Sequence, residues 1–244
     1  MTLQIDIWSD IACPWCLIGK RRFDDAVAQL GFADQLEVEY HSFLLDPDLP
    51  ERYDGSQAQY LAERKQMPAG QVEQMLQQVS QVAAEQGLAY DFDRVVVASS
   101  RRAHRLLQAA RRAAGDNAPG SLVARLNEAL MRAHFEQGAD IGDEATLVRI
   151  AVEAGLDREL AQRALADEDL DEAVQLSVAA AASLGVTGVP FYVVDQRYAI
   201  SGAQPPEVFV QALTQVWQEL QARQQPMLQP IVTDGQACGP GGCS

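Results

Sequence analysis

The sequence predicts an α/β protein: a mixed sheet made from a β-α-β segment and a β-β-α segment, with an all-helical domain inserted between them. Two observations predict this fold class. Strand-like alternation of apolar and polar residues occurs only near the two ends of the chain, and the roughly 130 residues between them favour helices. Because each end segment is too small to fold alone, we expect both to join one sheet.

The β-α-β segment comes first. Apolar residues alternate over 3–8 and again over 36–43, which predicts two strands. Between them a helical pattern runs to Leu30, with Pro14 at the first helical position and Gly31 as the stop. A strand, a helix and a strand within about 40 residues are typical of a parallel pair.

The rest of the chain divides into a helical block, a hairpin and a final helix. Turn residues separate the predicted elements, and strand character returns only at 191–194 and 198–201. The predicted domains are a discontinuous sheet domain (1–48 and 185–225), an inserted helical domain (49–184) and a mobile tail (226–244). Helices are expected around 72–83 and at about 97–114, 120–137, 143–154, 157–165, 169–184 and 205–223.

The composition excludes several classes of protein. The chain has 244 residues, 48% of them apolar, which is enough for a core and argues against wholesale disorder. Its 19 Lys and Arg against 34 Asp and Glu give a net charge of −15, so nucleic acid and anionic membranes are poor partners. With no secretory signal pattern and no membrane-length apolar run, we expect a cytoplasmic protein.

The four cysteines form two close pairs, Cys13 with Cys16 and Cys238 with Cys243. In a reducing compartment, such spacing indicates redox chemistry or metal binding rather than structural disulfides. For the tail pair three interpretations stay open: a second redox pair that exchanges electrons with the first, a weak metal clip, or an inert tail.

The first pair lies where a strand meets a helix, in the motif Cys13-Pro14-Trp15-Cys16. A helix N-terminus favours an anion and lowers the pKa of a thiol from about 8.5 to between about 3.5 and 7.5. Cys13 is therefore expected to attack, and Cys16, one turn on, to resolve the mixed disulfide. The alternatives are an inert buried pair or half of a zinc site, although zinc usually needs four ligands.

Other candidates are weaker. His104 lies on a helix that could place its imidazole near the Cys13 thiolate, or it is an ordinary surface or core histidine. His41 is expected to face solvent or a helix, and the sequence suggests no partner for His134. The basic run at 20–22 is interpreted as a solvated helix face. No metal site is predicted, because no cluster has ligand spacing.

A proline opens the strand at 191. Val189-Pro190 ends the stretch Gly-Val-Thr-Gly-Val-Pro, and the local sequence leaves a trans and a cis peptide bond both open.

Through these motifs and the helical insertion, the chain resembles proteins of the thioredoxin-like fold and, among them, the FrnE-like branch of the DsbA family. The resemblance covers about residues 3–222 and implies that Pro190 is cis, beside the Cys13–Cys16 pair, and that the Val189 backbone docks a substrate peptide. The residues that carry it are Cys-Pro-Trp-Cys-Leu-Ile-Gly-Lys-Arg-Arg (13–22), Ala-His-Arg-Leu-Leu (103–107), Gly-Ala-Asp-Ile-Gly-Asp (138–143), Gly-Val-Thr-Gly-Val-Pro-Phe (185–191) and Ala-Ile-Ser-Gly-Ala-Gln (199–204).

The expected function is a cytoplasmic thiol–disulfide oxidoreductase of reductase or isomerase type, acting on protein or small-molecule thiols and disulfides. It needs no dissociable cofactor, with glutathione as a candidate co-substrate. One alternative is a glutathione-dependent isomerase or transferase of small aromatic substrates, whose relatives carry a single Ser or Cys at the helix start. Another is a metal-binding or chaperone-like module. The helical block is expected to cap the sulfurs and shape an apolar groove from Met75, Leu76, Met131 and Phe135.

Overall fold

A computed structural model describes residues 1–114 and 118–224, together with the backbone of 238–239 and 242–243. Its main sheet has four strands in the order β2-β1-β3-β4, which joins the two ends of the chain as predicted. β1 runs parallel to β2 and antiparallel to β3, and β3 is antiparallel to β4. The strands are β1 (Leu3–Ser9), β2 (Leu36–Ser42), β3 (Phe191–Val194) and β4 (Tyr198–Ser201).

Seven helices lie between β2 and β3 in the described residues, in agreement with the predicted helical insertion. They are α2 (Gln57–Lys65), α3 (Ala69–Glu85), α4 (Arg101–Ala114), α5 (Leu122–Gln137), α6 (Glu144–Glu153), α7 (Arg158–Ala164) and α8 (Glu168–Ser183). Two more belong to the end segments, α1 (Pro14–Val27) and α9 (Pro206–Gln224), and a short 3-10 helix spans Ala33–Gln35.

The clearest departures from the predicted helix boundaries are the start of α4 and the end of α1. α4 begins at Arg101 rather than near 97, because Ala98 pairs with Arg52 in an isolated antiparallel bridge and the Val97 carbonyl accepts from the Tyr53 amide at 2.9 Å. α1 ends at Val27 rather than Leu30, since the Leu30 amide bonds back to the Val27 carbonyl in a tighter turn.

One buried apolar cluster runs through both the sheet and the helical block. Phe23 of α1 packs on Tyr192 of β3 and Phe209 of α9, with ring centroids 5.7 Å apart in both cases. The predicted groove is wrong in part, because Met131 and Phe135 are fully buried and cannot line an open surface. In the described ranges no helix combines the length and apolar character that a bilayer span requires.

Candidate active site

Cys13 lies at the N-terminus of α1, as predicted. Its backbone is extended (φ −99°, ψ 110°), and Pro14 occupies the start of the helix. The Cys13 amide donates to the Asp10 carbonyl at 3.0 Å, and the Cys16 amide donates to the Cys13 carbonyl at 3.0 Å. Both thiols are free and buried, whereas Trp15 between them is 37% exposed.

The loop before β3 lies against Cys13. The Val189–Pro190 peptide bond is cis, as the resemblance implied. The thiol of Cys13 donates to the Val189 carbonyl, with Sγ and O 3.5 Å apart. On the other side of the loop, the Pro190 carbonyl accepts from the Gly202 amide at 2.8 Å. The fold therefore brings together the four residues Cys13, Cys16, Val189 and Pro190.

Cys16 sits in a different electrostatic environment from a surface thiol. Burial raises the pKa of Cys16 well above its ordinary value, and a hydrogen bond with Cys13 and the charge of Cys13 act in the same direction. The negative charge of Asp10 raises it further. The Cys16 thiol consequently stays protonated at neutral pH.

Beside the thiols lies a buried pair, Asp10 and His104, each 1% exposed. His104 Nε2 is 3.3 Å from Asp10 Oδ1, and the carboxylate also accepts from the amides of Ala12 (3.2 Å) and Leu45 (2.8 Å). Burial alone would raise the pKa of Asp10, but the hydrogen bond and electrostatic attraction of His104, together with the hydrogen bond from the Leu45 amide, outweigh it and lower that pKa. The polar contact of His104 is thus with Asp10, a residue that the sequence analysis missed although it lies three positions before the motif.

Tyr90 is a second residue that sequence reasoning missed. It belongs to the segment between α3 and α4, and its hydroxyl donates to the Pro14 carbonyl at 2.7 Å. Nothing in the pattern of that segment pointed toward the cysteine motif 76 residues earlier.

The solvated-face interpretation of the basic run is wrong for Lys20. Its ammonium is buried and lies 2.6 Å from Asp24 Oδ2 and 3.0 Å from Glu128 Oε2. Burial by itself would lower the pKa of Lys20, but the negative charges around it raise that pKa. The ion pair with Glu128 fastens α1 to α5.

His41 does not simply face solvent. Its ring stacks on Trp8 with centroids 4.4 Å apart, and its Nε2 lies 2.8 Å from Asp6 Oδ1. The β1–β2 register also sets Glu39 opposite Asp6, so that the ligand atoms of all three lie within 4.8 Å of one another. This grouping could hold a metal ion, although Glu39 already pairs with Arg111.

His134 is fully inside the helical block and has a partly unsatisfied ring. Its Nδ1 has no hydrogen-bond partner among the described residues. Burial lowers the pKa of His134 to about 4, so the side chain is neutral at physiological pH.

The side chains of Cys238 and Cys243 lie outside the described residues. Their backbone forms two short strands, β5 (Cys238–Gly239) and β6 (Gly242–Cys243), which pair antiparallel with Cys238 opposite Cys243.

Comparison with known proteins finds solved structures of similar fold, among them one that matches 99% of this chain. It is the probable DsbA oxidoreductase SCO1869 from Streptomyces coelicolor, with 38% identity, a TM-score of 0.81, and coverage of 99% of this chain and 98% of that one. The uncharacterized protein YwbO of Bacillus subtilis (strain 168) is 25% identical over 88% of this chain and 97% of its own.

A more distant structure shares the fold. The cytosolic disulfide reductase DsbM from Pseudomonas aeruginosa, solved with GSH, has 19% identity and a TM-score of 0.59 over 88% of this chain and 99% of its own. In addition, the model of the DSBA-like thioredoxin domain matches residues 4–214. The chain therefore belongs to the family of DsbA-like thioredoxin domains.

Proposed function

We propose that the chain is a cytoplasmic thiol–disulfide oxidoreductase that exchanges disulfides through Cys13 and Cys16. The observation that carries this proposal is the 3.5 Å contact between Cys13 Sγ and the Val189 carbonyl oxygen. It sets a cysteine at a helix N-terminus beside backbone with which an extended peptide can pair. Cys16, one helical turn away, supplies the second thiol that a complete exchange needs.

In the reducing direction, the Cys13 thiolate attacks one sulfur of a substrate disulfide. A mixed disulfide forms, and the other substrate sulfur leaves as a thiolate. Cys16 then loses its proton and attacks the Cys13 sulfur, which forms the Cys13–Cys16 disulfide and releases the second substrate thiol. Two electrons pass to the substrate, and two molecules of glutathione restore the dithiol while one glutathione disulfide forms.

Several observations support particular parts of this scheme. Burial of Cys16 and the raised pKa that follows suit a resolving thiol that stays protonated until the mixed disulfide forms. His104 is assigned as a positioning residue that acts through the Asp10 carboxylate. Glutathione is proposed as the reductant, and the cytoplasm as the location, because the Pseudomonas aeruginosa reductase of the same fold is described as cytosolic and was solved with GSH.

Substrate is proposed to dock on the Val189–Pro190 loop and on the exposed ring of Trp15, with Pro14 fixing the start of the helix beneath. The substrates are disulfides or thiols of proteins or small molecules. A net charge of −15 favours neither nucleic acid nor an anionic membrane as a partner.

The tail cysteines are proposed to be a second redox pair that passes electrons to Cys13 and Cys16. The backbone pairing of Cys238 with Cys243 supports this, since residues directly opposite in an antiparallel pair have Cα atoms about 4.5–5.5 Å apart. That separation lies within the range of a disulfide.

The decisive experiment is reduction of insulin disulfides by glutathione, catalysed by the wild type, Cys13→Ser, Cys16→Ser and a chain truncated after residue 225. Loss of turnover in both single variants, with a mixed disulfide accumulating in Cys16→Ser, is the expected result. Loss in Cys13→Ser alone would instead support the glutathione-dependent isomerase, and full activity in both variants would overturn the proposal. The truncated chain is expected to be slower only if the tail pair relays electrons.

A further inference from the structure

Tyr90 places a phenol at the start of α1, next to the cysteine motif. Its Oη donates to the Pro14 carbonyl at 2.7 Å, within the range of a strong O–H···O bond. Burial raises the pKa of Tyr90, and the charges of Cys13 and Cys16 raise it further. The phenol is therefore a neutral donor at any physiological pH, within electrostatic reach of both sulfurs.

The ring of Tyr90 is fixed by α5 rather than by the site itself. It packs on Phe135, with centroids 5.0 Å apart, and on Phe92 at 5.7 Å. The backbone on either side is also attached to α5: the Asp91 amide donates to the Phe135 carbonyl at 2.8 Å, and the Ala89 amide donates to Glu136 Oε1 at 3.1 Å. The hydroxyl consequently cannot drift from the Pro14 carbonyl without disturbing the helical block.

The carbonyl that accepts this bond belongs to the same peptide group as the Trp15 amide. An N-cap side chain accepts from the second or third amide of its helix, and for Cys13 the second amide is that of Trp15. A hydrogen bond to the carbonyl of a peptide group polarises its N–H and makes it a better donor. In the structure the Cys13 side chain makes no cap hydrogen bond, and its thiol donates to the Val189 carbonyl instead. The phenol is therefore placed to act on the Trp15 amide when the Cys13 sulfur is ionised and accepts from that amide.

We propose that Tyr90 is a positioning residue that stabilises the thiolate of Cys13 through the Pro14–Trp15 peptide group. This inference rests on the proposed function and adds that a residue of the helical block influences the reduction potential of the Cys13–Cys16 pair. Stabilising the thiolate favours the dithiol form over the disulfide, so Tyr90 makes the pair a stronger oxidant.

The test is the equilibrium in which the protein disulfide and two glutathione molecules give the protein dithiol and one glutathione disulfide. It is measured on the wild type, on Tyr90→Phe, which removes only the hydroxyl, and on Tyr198→Phe. The last variant is the matched control, because Tyr198 donates to Glu219 at 2.5 Å at the far end of the β3–β4 hairpin.

Tyr90→Phe is expected to lower the equilibrium constant for reduction about twofold, while Tyr198→Phe leaves it unchanged. The Tyr90–Pro14 bond exists in both redox forms, so only its strengthening of the amide bond to the thiolate, about 10–30% of a charge-assisted hydrogen bond, enters the constant. A merely structural role would lower the melting temperature of both redox forms equally and leave the constant in place. The difference in unfolding free energy between the oxidised and reduced forms, compared between variant and wild type, gives the same change in the equilibrium constant without glutathione. The test therefore also works for a variant that is less stable than the wild type.

The outcomes separate the two proposals. A wild type that equilibrates with glutathione, together with a Tyr90→Phe variant of unchanged constant, overturns this inference alone. A wild type whose Cys13–Cys16 pair never exchanges with glutathione overturns the glutathione-linked function and this inference with it.

Discussion

Gly19 and Pro190 lie in contact where α1 meets the loop before β3. A Cβ atom added at Gly19 would lie 2.8 Å from Pro190 Cγ and 2.8 Å from Tyr192 Oη, closer than real Cβ contacts come. α1, which begins at the cysteine motif, can approach the Val189–Pro190 loop this closely only because position 19 has no side chain.

Gly19→Ala should therefore destabilise the protein by about 1–3 kcal/mol, the usual cost of forcing an extra methyl into a packed interior. It should also slow insulin reduction, since the loop beside Cys13 must move. Urea unfolding and the insulin assay check both effects.

Gly70→Ala is the matched control for that experiment. Gly70 is also helical, but a Cβ there meets nothing within 4 Å. Alanine should stabilise the helix by up to about 1 kcal/mol. Equal effects of the two substitutions would contradict the packing argument.

Glu128→Gln should loosen the attachment of α1 to α5. Lys20 loses one of its two carboxylate partners but keeps Asp24, so we expect a loss of about 1–3 kcal/mol in the free energy of unfolding. The control is Glu153→Gln in the exposed Arg149–Glu153 pair, which should cost below about 0.5 kcal/mol. Chemical denaturation of both variants gives the comparison, and a Glu128 effect as small as the control would count against a structural ion pair.

Asp10→Asn should lower the pKa of Cys16, because the charge of Asp10 is one of the factors that raise it. NMR titration of labelled cysteine in a Cys13→Ser chain truncated after residue 225 isolates this thiol. Asp6→Asn is the control, since Asp6 is another histidine-bound carboxylate of the same part of the chain and is not among the groups that shift the pKa of Cys16. An unshifted Cys16 titration in Asp10→Asn would remove Asp10 from the electrostatics of the site.

Acidification should destabilise the protein through His134. In the unfolded chain its pKa is near 6.5 and in the folded protein about 4, so the unfolded state binds more protons between these values and stability falls as the pH falls. From about pH 7 to about pH 5 this one histidine should contribute a loss of about 2 kcal/mol. Urea unfolding of the wild type and of His134→Gln at both pH values checks it: the variant should lose less stability over that interval, and an identical loss would contradict the assignment.

The sequence predicted correctly the features that depend on a local pattern of residues. Period-two alternation located β1 and β2, and Pro14 at a helix start placed Cys13 at the N-terminus of α1. The proximity of Val189 to Cys13 came from the family resemblance, because no local pattern connects residues so far apart. The division into a discontinuous sheet domain and an inserted helical domain with the stated boundaries stays a prediction.

What the sequence could not supply were contacts set by tertiary packing. The partners Asp10 and His104 are 94 positions apart, and Tyr90 reaches Pro14 across 76. Lys20 lay within a run that reads as a solvated face, and only the approach of α5 explains its burial. Such pairs depend on how the helical block docks, and helical periodicity does not encode that.

The Cys13 thiol and the carbonyl it contacts are 176 positions apart. At a synthesis rate of about 5–20 residues per second, a ribosome needs roughly 9 to 35 seconds to add the stretch between them. During that interval the nascent chain carries Cys13 and Cys16 without the Val189–Pro190 loop that later packs against Cys13. During that time both thiols can react with oxidants or electrophiles, and only the last quarter of the polypeptide shields them.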